Sequence, residues 1–160
     1  MDLILLRHGK AEDFHSHGDE ARALVEKGRE QSRRAGTILK AAGLLPEIVL
    51  TSPLVRAHQT AAEFCGAAGL PGPVVQSWLA CGCRPETVAA ELAAFHDFKR
   101  VVIVGHEPDF SRFIQWSMGA YGTSIDIKKG TLACLRVSPP ARHGMLVYLI
   151  PPKLTGGLEL

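Results

Sequence analysis

Residues 101–108 read Val101-Val102-Ile103-Val104-Gly105-His106-Glu107-Pro108. An unbroken β-branched run this short predicts a strand covered on both faces, as in a parallel sheet packed between helices. It passes straight into a glycine and a histidine. The strand's carboxyl end, where open α/β sheets bind ligands, therefore carries a titratable side chain.

The same grammar recurs on either side. Leu3-Ile4-Leu5-Leu6 is a second apolar run and stops at Arg7-His8-Gly9. Ile48-Val49-Leu50 is a third and stops at Thr51-Ser52-Pro53. Between the first two endings, Lys10 to Glu20 is polar and reads as a loop, and Asp19 to Ala42 favours helix. Gly28 is a candidate for the start of that helix proper, and Gly43 for its stop. Ser52 as N-cap and Pro53 as first helical residue predict a helix whose Ala57, Ala61, Phe64, Cys65 and Ala68 share one face. Pro71-Gly72-Pro73 closes it, and Val74-Val75 is a short strand candidate. Pro85 opens a helix with Val88, Ala89, Leu92 and Phe95 on one side. Asp109 to Met118 is another helix, and Gly119 to Gly130 a loop. Leu132 to Val137 and Met145 to Ile150 are late strands joined by a turn over Ser138 to Gly144. Pro151 to Leu160 reads as a loosely held tail. The expectation is a three-layer α/β/α fold with a mostly parallel central sheet and some antiparallel pairing at the end. One domain spans 1–153, and 154–160 form a C-terminal tail.

The chain has 160 residues, enough for one sizeable core, and 46% are hydrophobic. Its 18 basic and 16 acidic residues leave a formal charge of +2, which does not mark a nucleic-acid binder. The apolar runs are too short to span a bilayer, and MDLILLRHG lacks the features of a secretory signal. A cytoplasmic protein that binds neither nucleic acid nor membrane is expected. The four cysteines, at 65, 81, 83 and 134, have no zinc-site spacing, so reduced thiols are expected. His15 and His17 form an H-x-H pair in a polar loop, where a solvated or rim role is expected over metal binding.

If the three strands are neighbours, their endings converge. Arg7, His8, Arg56 (one turn into its helix) and His106 would then face one point. Guanidinium forks match phosphate oxygens, and a helix start near Ser52 favours an anion. A histidine nitrogen can attack phosphorus covalently. Arginine clamps suit the charge on the equatorial oxygens in the transition state.

Leu6-Arg7-His8-Gly9, then Thr51-Ser52-Pro53-Leu54-Val55-Arg56-Ala57-His58-Gln59-Thr60-Ala61, then Val104-Gly105-His106-Glu107-Pro108, resemble in order the motifs of the histidine phosphatase superfamily. That superfamily includes the cofactor-dependent phosphoglycerate mutases. The likeness is strongest to its small SixA-like branch, the phosphohistidine phosphatases. Asp19, Arg22, Leu24 and Gly28, and Lys129-Gly130 before a late strand, are similar to that branch too. The resemblance implies a phosphoglycerate mutase-like fold and no metal or organic cofactor. It implies His8 as nucleophile, with Arg7, Arg56 and His106 cradling the phosphoryl group and Ser52 adding a donor. Glu107 is the nearest candidate for a general acid, and Glu12 a weaker one. Ser77 to Arg84, where a mutase-like glutamate would be sought, has none. That absence tilts the substrate toward phosphohistidine, whose imidazole leaving group is protonated near neutral pH. The expected partner is a phosphorylated histidine on a signalling phosphotransfer domain. A small-molecule phosphomonoesterase and a phosphate-binding regulatory module without turnover stay open beside it.

Overall fold

The computed structural model of the chain describes residues 1–122 and 125–156. Its strands are β1 (Asp2–Arg7), β2 (Ile48–Thr51), β3 (Val74–Val75), β4 (Arg100–Gly105), β5 (Leu132–Val137) and β6 (Gly144–Ile150). Its α-helices are α1 (Glu26–Ala41), α2 (Val55–Ala68), α3 (Pro85–Leu92), α4 (Asp109–Met118) and α5 (Pro152–Thr155). The sheet order is β3-β2-β4-β1-β5-β6. The first four of these run parallel, and β5 and β6 are antiparallel additions.

Alternation along the strands builds two cores. Leu3, Leu5, Val101 and Ile103 face α3 and α4, where they meet Val88, Leu92, Phe110 and Ile114. Ile4, Leu6, Val102 and Val104 face α1 and α2, where they meet Leu39, Ala57, Ala61 and Phe64. Because successive side chains point to opposite faces, a strand with helices on both sides must be apolar throughout. That requirement explains the unbroken runs, whose eight side chains here are fully buried. No helix among the described residues is long and apolar enough to cross a membrane.

Several boundaries differ from those expected. The helix expected from Asp19 is a single 3-10 turn over Asp19–Ala21, followed by extended chain up to α1. Tertiary hydrogen bonds override helix propensity there. Leu24 bridges to Ala11, Val25 N–H donates to the Lys10 carbonyl, and Leu24 N–H donates to Gln59 Oε1 at 2.7 Å. Gly28 lies inside the first turn of α1 rather than at its start. Helix α2 starts at Val55, not Pro53, and its N-cap is Leu54 in an extended conformation. Ser52 is still tied to the sheet, its N–H donating to the Val104 carbonyl at 3.0 Å, and a residue before proline avoids the helical region. Phe95 falls in a 3-10 turn after α3, and Gly144 already belongs to β6. The tail is anchored where it begins: Arg34 donates to the Thr155 carbonyl, and α5 packs on α1. The residues after 156 lie outside the described ones.

Candidate active site

Strands β2, β4 and β1 are consecutive in the sheet, and their ends are in register. Arg7 pairs with Gly105, and Thr51 with Val104. The three sequence endings therefore open on the same edge, as the convergence required. The loop before β5 reaches this edge as well, because Leu132 pairs with Leu6.

His8 is 5% exposed. Its backbone N–H continues the ladder by donating to the Gly105 carbonyl at 3.0 Å. Its Nδ1 lies 2.8 Å from the carbonyl oxygen of Gly9. A carbonyl only accepts, so Nδ1 carries the hydrogen and the neutral ring keeps its lone pair on Nε2. Burial, then the charges of Arg56, Arg7 and Lys129, push the imidazole down to about 4, against the upward pull of the Gly9 bond. The ring is neutral at physiological pH, with a bare nitrogen.

His106 is 2% exposed, and its ring centroid lies 5.3 Å from that of His8. Burial, His8 and Arg56 push it down to about 3. Its Nε2 lies 2.8 Å from Ser52 Oγ. Ser52 Oγ also accepts from Leu54 N–H at 3.3 Å, so its own proton is free to go to Nε2. That arrangement leaves the ring hydrogen on Nδ1, which has no partner among the described residues. Ser52 is fully buried and meets the site through His106.

The two arginines arrive differently. Arg7 ends β1 and donates from Nη1 to the Ile127 carbonyl at 2.6 Å. Arg56 is the second residue of α2 and 4% exposed. It donates to the backbone oxygen of Asp19 at 2.7 Å and to Asp19 Oδ2 at 2.9 Å. Its Nη2 also lies 3.6 Å from Cys81 Sγ. Both arginines keep a buried Nε with no hydrogen-bond partner among the described residues. Buried donors are nearly always satisfied, and an orphan asks for an absent partner. Four buried nitrogens lack a hydrogen-bond partner among the described residues: Arg22 Nε faces Asp19 Oδ1 at 3.0 Å, and the other three, on Arg7, Arg56 and His106, belong to residues coupled electrostatically at His8. Those three match in number the equatorial oxygens of a phosphoryl group.

Glycine and threonine set the loop that bears His8. Gly9 N–H donates to Thr60 Oγ1 at 3.0 Å, and Thr60 Oγ1 donates to the Arg56 carbonyl. Gly28 touches the same loop so closely that a Cβ there would stand 2.0 Å from the Lys10 oxygen.

Of the carboxylates, Glu107 follows His106 directly, and its Oε1 accepts the N–H of Ser111 at 3.0 Å, inside the first turn of α4. Glu12 Oε2 accepts from Ala23 N–H at 2.9 Å and holds a loop. Asp19 pairs with Arg22 at 3.0 Å as well as with Arg56. Burial works against its ionisation, but the hydrogen bond and charge of Arg56 outweigh it and hold the carboxyl below its usual range. Asp109 is buried, and its Oδ2 accepts Gly82 N–H at 2.8 Å, anchoring the Cys81–Cys83 loop beside Arg56.

Of the residues the sequence singles out, Arg7, His8, Ser52, His106 and Glu107 stand at these strand endings, and Arg56 stands at the second position of α2. Nothing local in the sequence pairs Asp19 with Arg56 or brings Cys81 and Asp109 to this edge. His58, two residues past Arg56 and so on another face of α2, is exposed. All four cysteines are free thiols. Among the described residues no group of three or more His, Cys, Asp or Glu could hold a metal.

The model of the histidine phosphatase superfamily (branch 1) matches residues 3–78. An uncharacterised protein of Picosynechococcus sp. is 34% identical over 143 residues, covering 85% of this chain and 85% of that protein. The 2,3-bisphosphoglycerate-dependent phosphoglycerate mutase of Corynebacterium diphtheriae is 45% identical over 80 residues, or 48% of this chain and 32% of the mutase. The solved structure of the protein histidine phosphatase SixA complexed with tungstate matches with a TM-score of 0.87 at 25% identity, covering 96% of this chain and 99% of that one.

Proposed function

The chain belongs to the histidine phosphatase superfamily, and on that footing we propose that it is a metal-independent protein phosphohistidine phosphatase working through a phosphorylated His8. The observation that carries this is the pairing of a neutral His8, its Nε2 bare, with unpartnered nitrogens on Arg7, Arg56 and His106, the residues coupled to it electrostatically. Nε2 attacks phosphorus as the bond from phosphorus to the leaving imidazole nitrogen breaks. The leaving imidazole takes a proton from solvent. Arg7 Nε–H, Arg56 Nε–H and His106 Nδ1–H donate to the three equatorial oxygens, where the transition-state charge lies. Water then attacks the phosphohistidine, the bond from phosphorus to Nε2 breaks, and orthophosphate leaves.

Two features favour a histidine leaving group. Ser77 to Arg84 brings Cys81, not a carboxylate, to Arg56. Glu107 spends one oxygen on Ser111. Imidazole accepts a proton near neutral pH and needs less from an enzyme acid than an alkoxide does. Phe14, 81% exposed on the loop that follows Arg7-His8-Gly9, offers an apolar contact to a protein substrate such as a phosphotransfer domain. The partial match to a phosphoglycerate mutase keeps small phosphate esters as the second reading.

The test is rapid quench after mixing with a protein carrying labelled phosphohistidine. Label appearing on His8 and decaying to orthophosphate supports the proposal, and His8→Ala abolishes it. Stable binding with no covalent label points to a regulatory module. Preferential turnover of sugar phosphates points to a phosphomonoesterase.

A further inference from the structure

Lys129 has no role in the chemistry above, yet the fold holds it at the site. Gly130 N–H donates to the Arg7 carbonyl at 3.1 Å, and Arg7 N–H donates to the Thr131 carbonyl at 3.2 Å. These two bonds clamp the residues after Lys129 to the end of β1. Gly130 adopts φ 80°, and a Cβ on it would come 3.1 Å from Gln31 Cβ, so the loop also presses on α1. Lys129 is thereby fixed beside Arg7, and it is only partly exposed.

Its surroundings are unusual for an ammonium. It makes no hydrogen bond or ion pair among the described residues. Its charged neighbours include Arg7, Arg22 and Lys10, with Asp13 the carboxylate among them, and Arg22 is itself paired with Asp19 at 3.0 Å. Burial first, then those cations, lower its pKa. A partly buried cation among cations is unfavourable until an anion joins it. The phosphoryl group does not need it, because Arg7, Arg56 and His106 already supply three donors for three oxygens.

We propose that Lys129, with Arg22 beside it, forms a second anion subsite next to the phosphoryl pocket. It receives a phosphate or carboxylate group that the substrate carries near the phosphoryl being transferred. The subsite rests on the phosphoryl-pocket reading but not on turnover. It would favour a phosphohistidine with an acidic group close by, and it would reward bidentate anions over single ones.

Calorimetric binding of orthophosphate and of pyrophosphate to the intact chain separates the cases, since neither measurement needs catalysis. Pyrophosphate should bind wild type more tightly than orthophosphate. Lys129→Gln should shrink that advantage about tenfold, the scale of one charge-assisted contact, while orthophosphate affinity changes less than about threefold by the same scale. Lys129→Arg should keep the advantage, which rules out misfolding as the cause. Equal weakening of both anions would mean a general field effect and overturn the subsite. So would unchanged binding of both, or wild type with no preference for pyrophosphate. Failure of wild type to bind either anion would overturn the phosphoryl pocket and the subsite together.

Discussion

Arg56 and Asp19 stand 37 residues apart in sequence and meet through two hydrogen bonds, Nη1 to the backbone oxygen at 2.7 Å and Nη2 to Oδ2 at 2.9 Å. The contact uses the terminal nitrogens and leaves Nε–H turned elsewhere, buried and unpartnered. Asp19 therefore aims the guanidinium while partly neutralising it. Asp19→Ala should separate those two effects. Orthophosphate should bind as well as before or better, because a competing carboxylate is gone. The rate of His8 phosphorylation should fall about 10- to 100-fold, because a misdirected donor loses transition-state contact. Affinity and rate falling together would mean Asp19 merely supports the fold.

The titration of His8 and His106 gives a sharper test of their burial. An ordinary histidine titrates near 6.5. Here burial leads the causes that bring His8 to about 4 and His106 to about 3. In ligand-free protein, NMR signals from both rings should stay in the neutral position from pH 8 down to about 5. A midpoint near 6.5 for His8 would show the ring to be hydrated and its Nε2 covered by water.

The same shifts predict how stability depends on pH. Both folded-state values lie below the unfolded value, so above 6.5 neither histidine distinguishes the two states. As pH falls below 6.5 the unfolded chain takes up protons that the folded chain refuses, and stability drops until the folded values are reached. At pH 5 each histidine should have cost about 2 kcal/mol relative to pH 7. Urea unfolding at the two pH values reads this directly. His106→Gln should remove roughly half of the difference attributable to the pair. A chain as stable at pH 5 as at pH 7 would contradict it.

How far the sequence speaks differs from residue to residue. Leu3–Leu6, Ile48–Leu50 and Val101–Val104 are legible because two-sided burial leaves no position free to be polar. Arg7, His8, Ser52 and His106 are legible because they sit where those runs stop. Asp19 is not, because its partner lies across the fold and nothing local marks the pair. The delayed start of α1 is hidden for a similar reason: Leu24 is drawn into extended chain by Gln59 and Ala11. The helix start at Val55 is hidden because Ser52 and Pro53 carry a strong local start signal, which the sheet and His106 override.

Gly28 is a place where packing constrains chemistry. Its Cα approaches Lys10 so closely that an added methyl would overlap the Lys10 oxygen at 2.0 Å, and Gly9 would overlap the Gly28 oxygen at 2.4 Å. Both obstacles are backbone, which yields poorly. Gly28→Ala should push α1 off the loop that carries His8. The expected cost is about 2–4 kcal/mol in chemical denaturation, with His8 phosphorylation slowed by more than the population of unfolded chain explains. Wild-type stability in this variant would mean that the contact relaxes freely.

Ser52 is fully buried and lies 2.8 Å from His106 Nε2, with Leu54 N–H donating to the same oxygen. Those two contacts choose the tautomer of His106: the hydroxyl proton goes to Nε2, so the ring hydrogen sits on Nδ1. Ser52→Ala removes the choice. The buried Nε2 is left unpaired, at about 1–3 kcal/mol, and the ring can place its hydrogen on either nitrogen. Only one placement donates to a phosphoryl oxygen, so orthophosphate affinity and the rate of His8 phosphorylation should both fall, the rate by about tenfold or more. The chemical shifts of the His106 ring nitrogens should move toward a mixture of tautomers. Loss of stability alone, with the Nδ1–H tautomer and the rate preserved, would show that His106 is held by something other than Ser52.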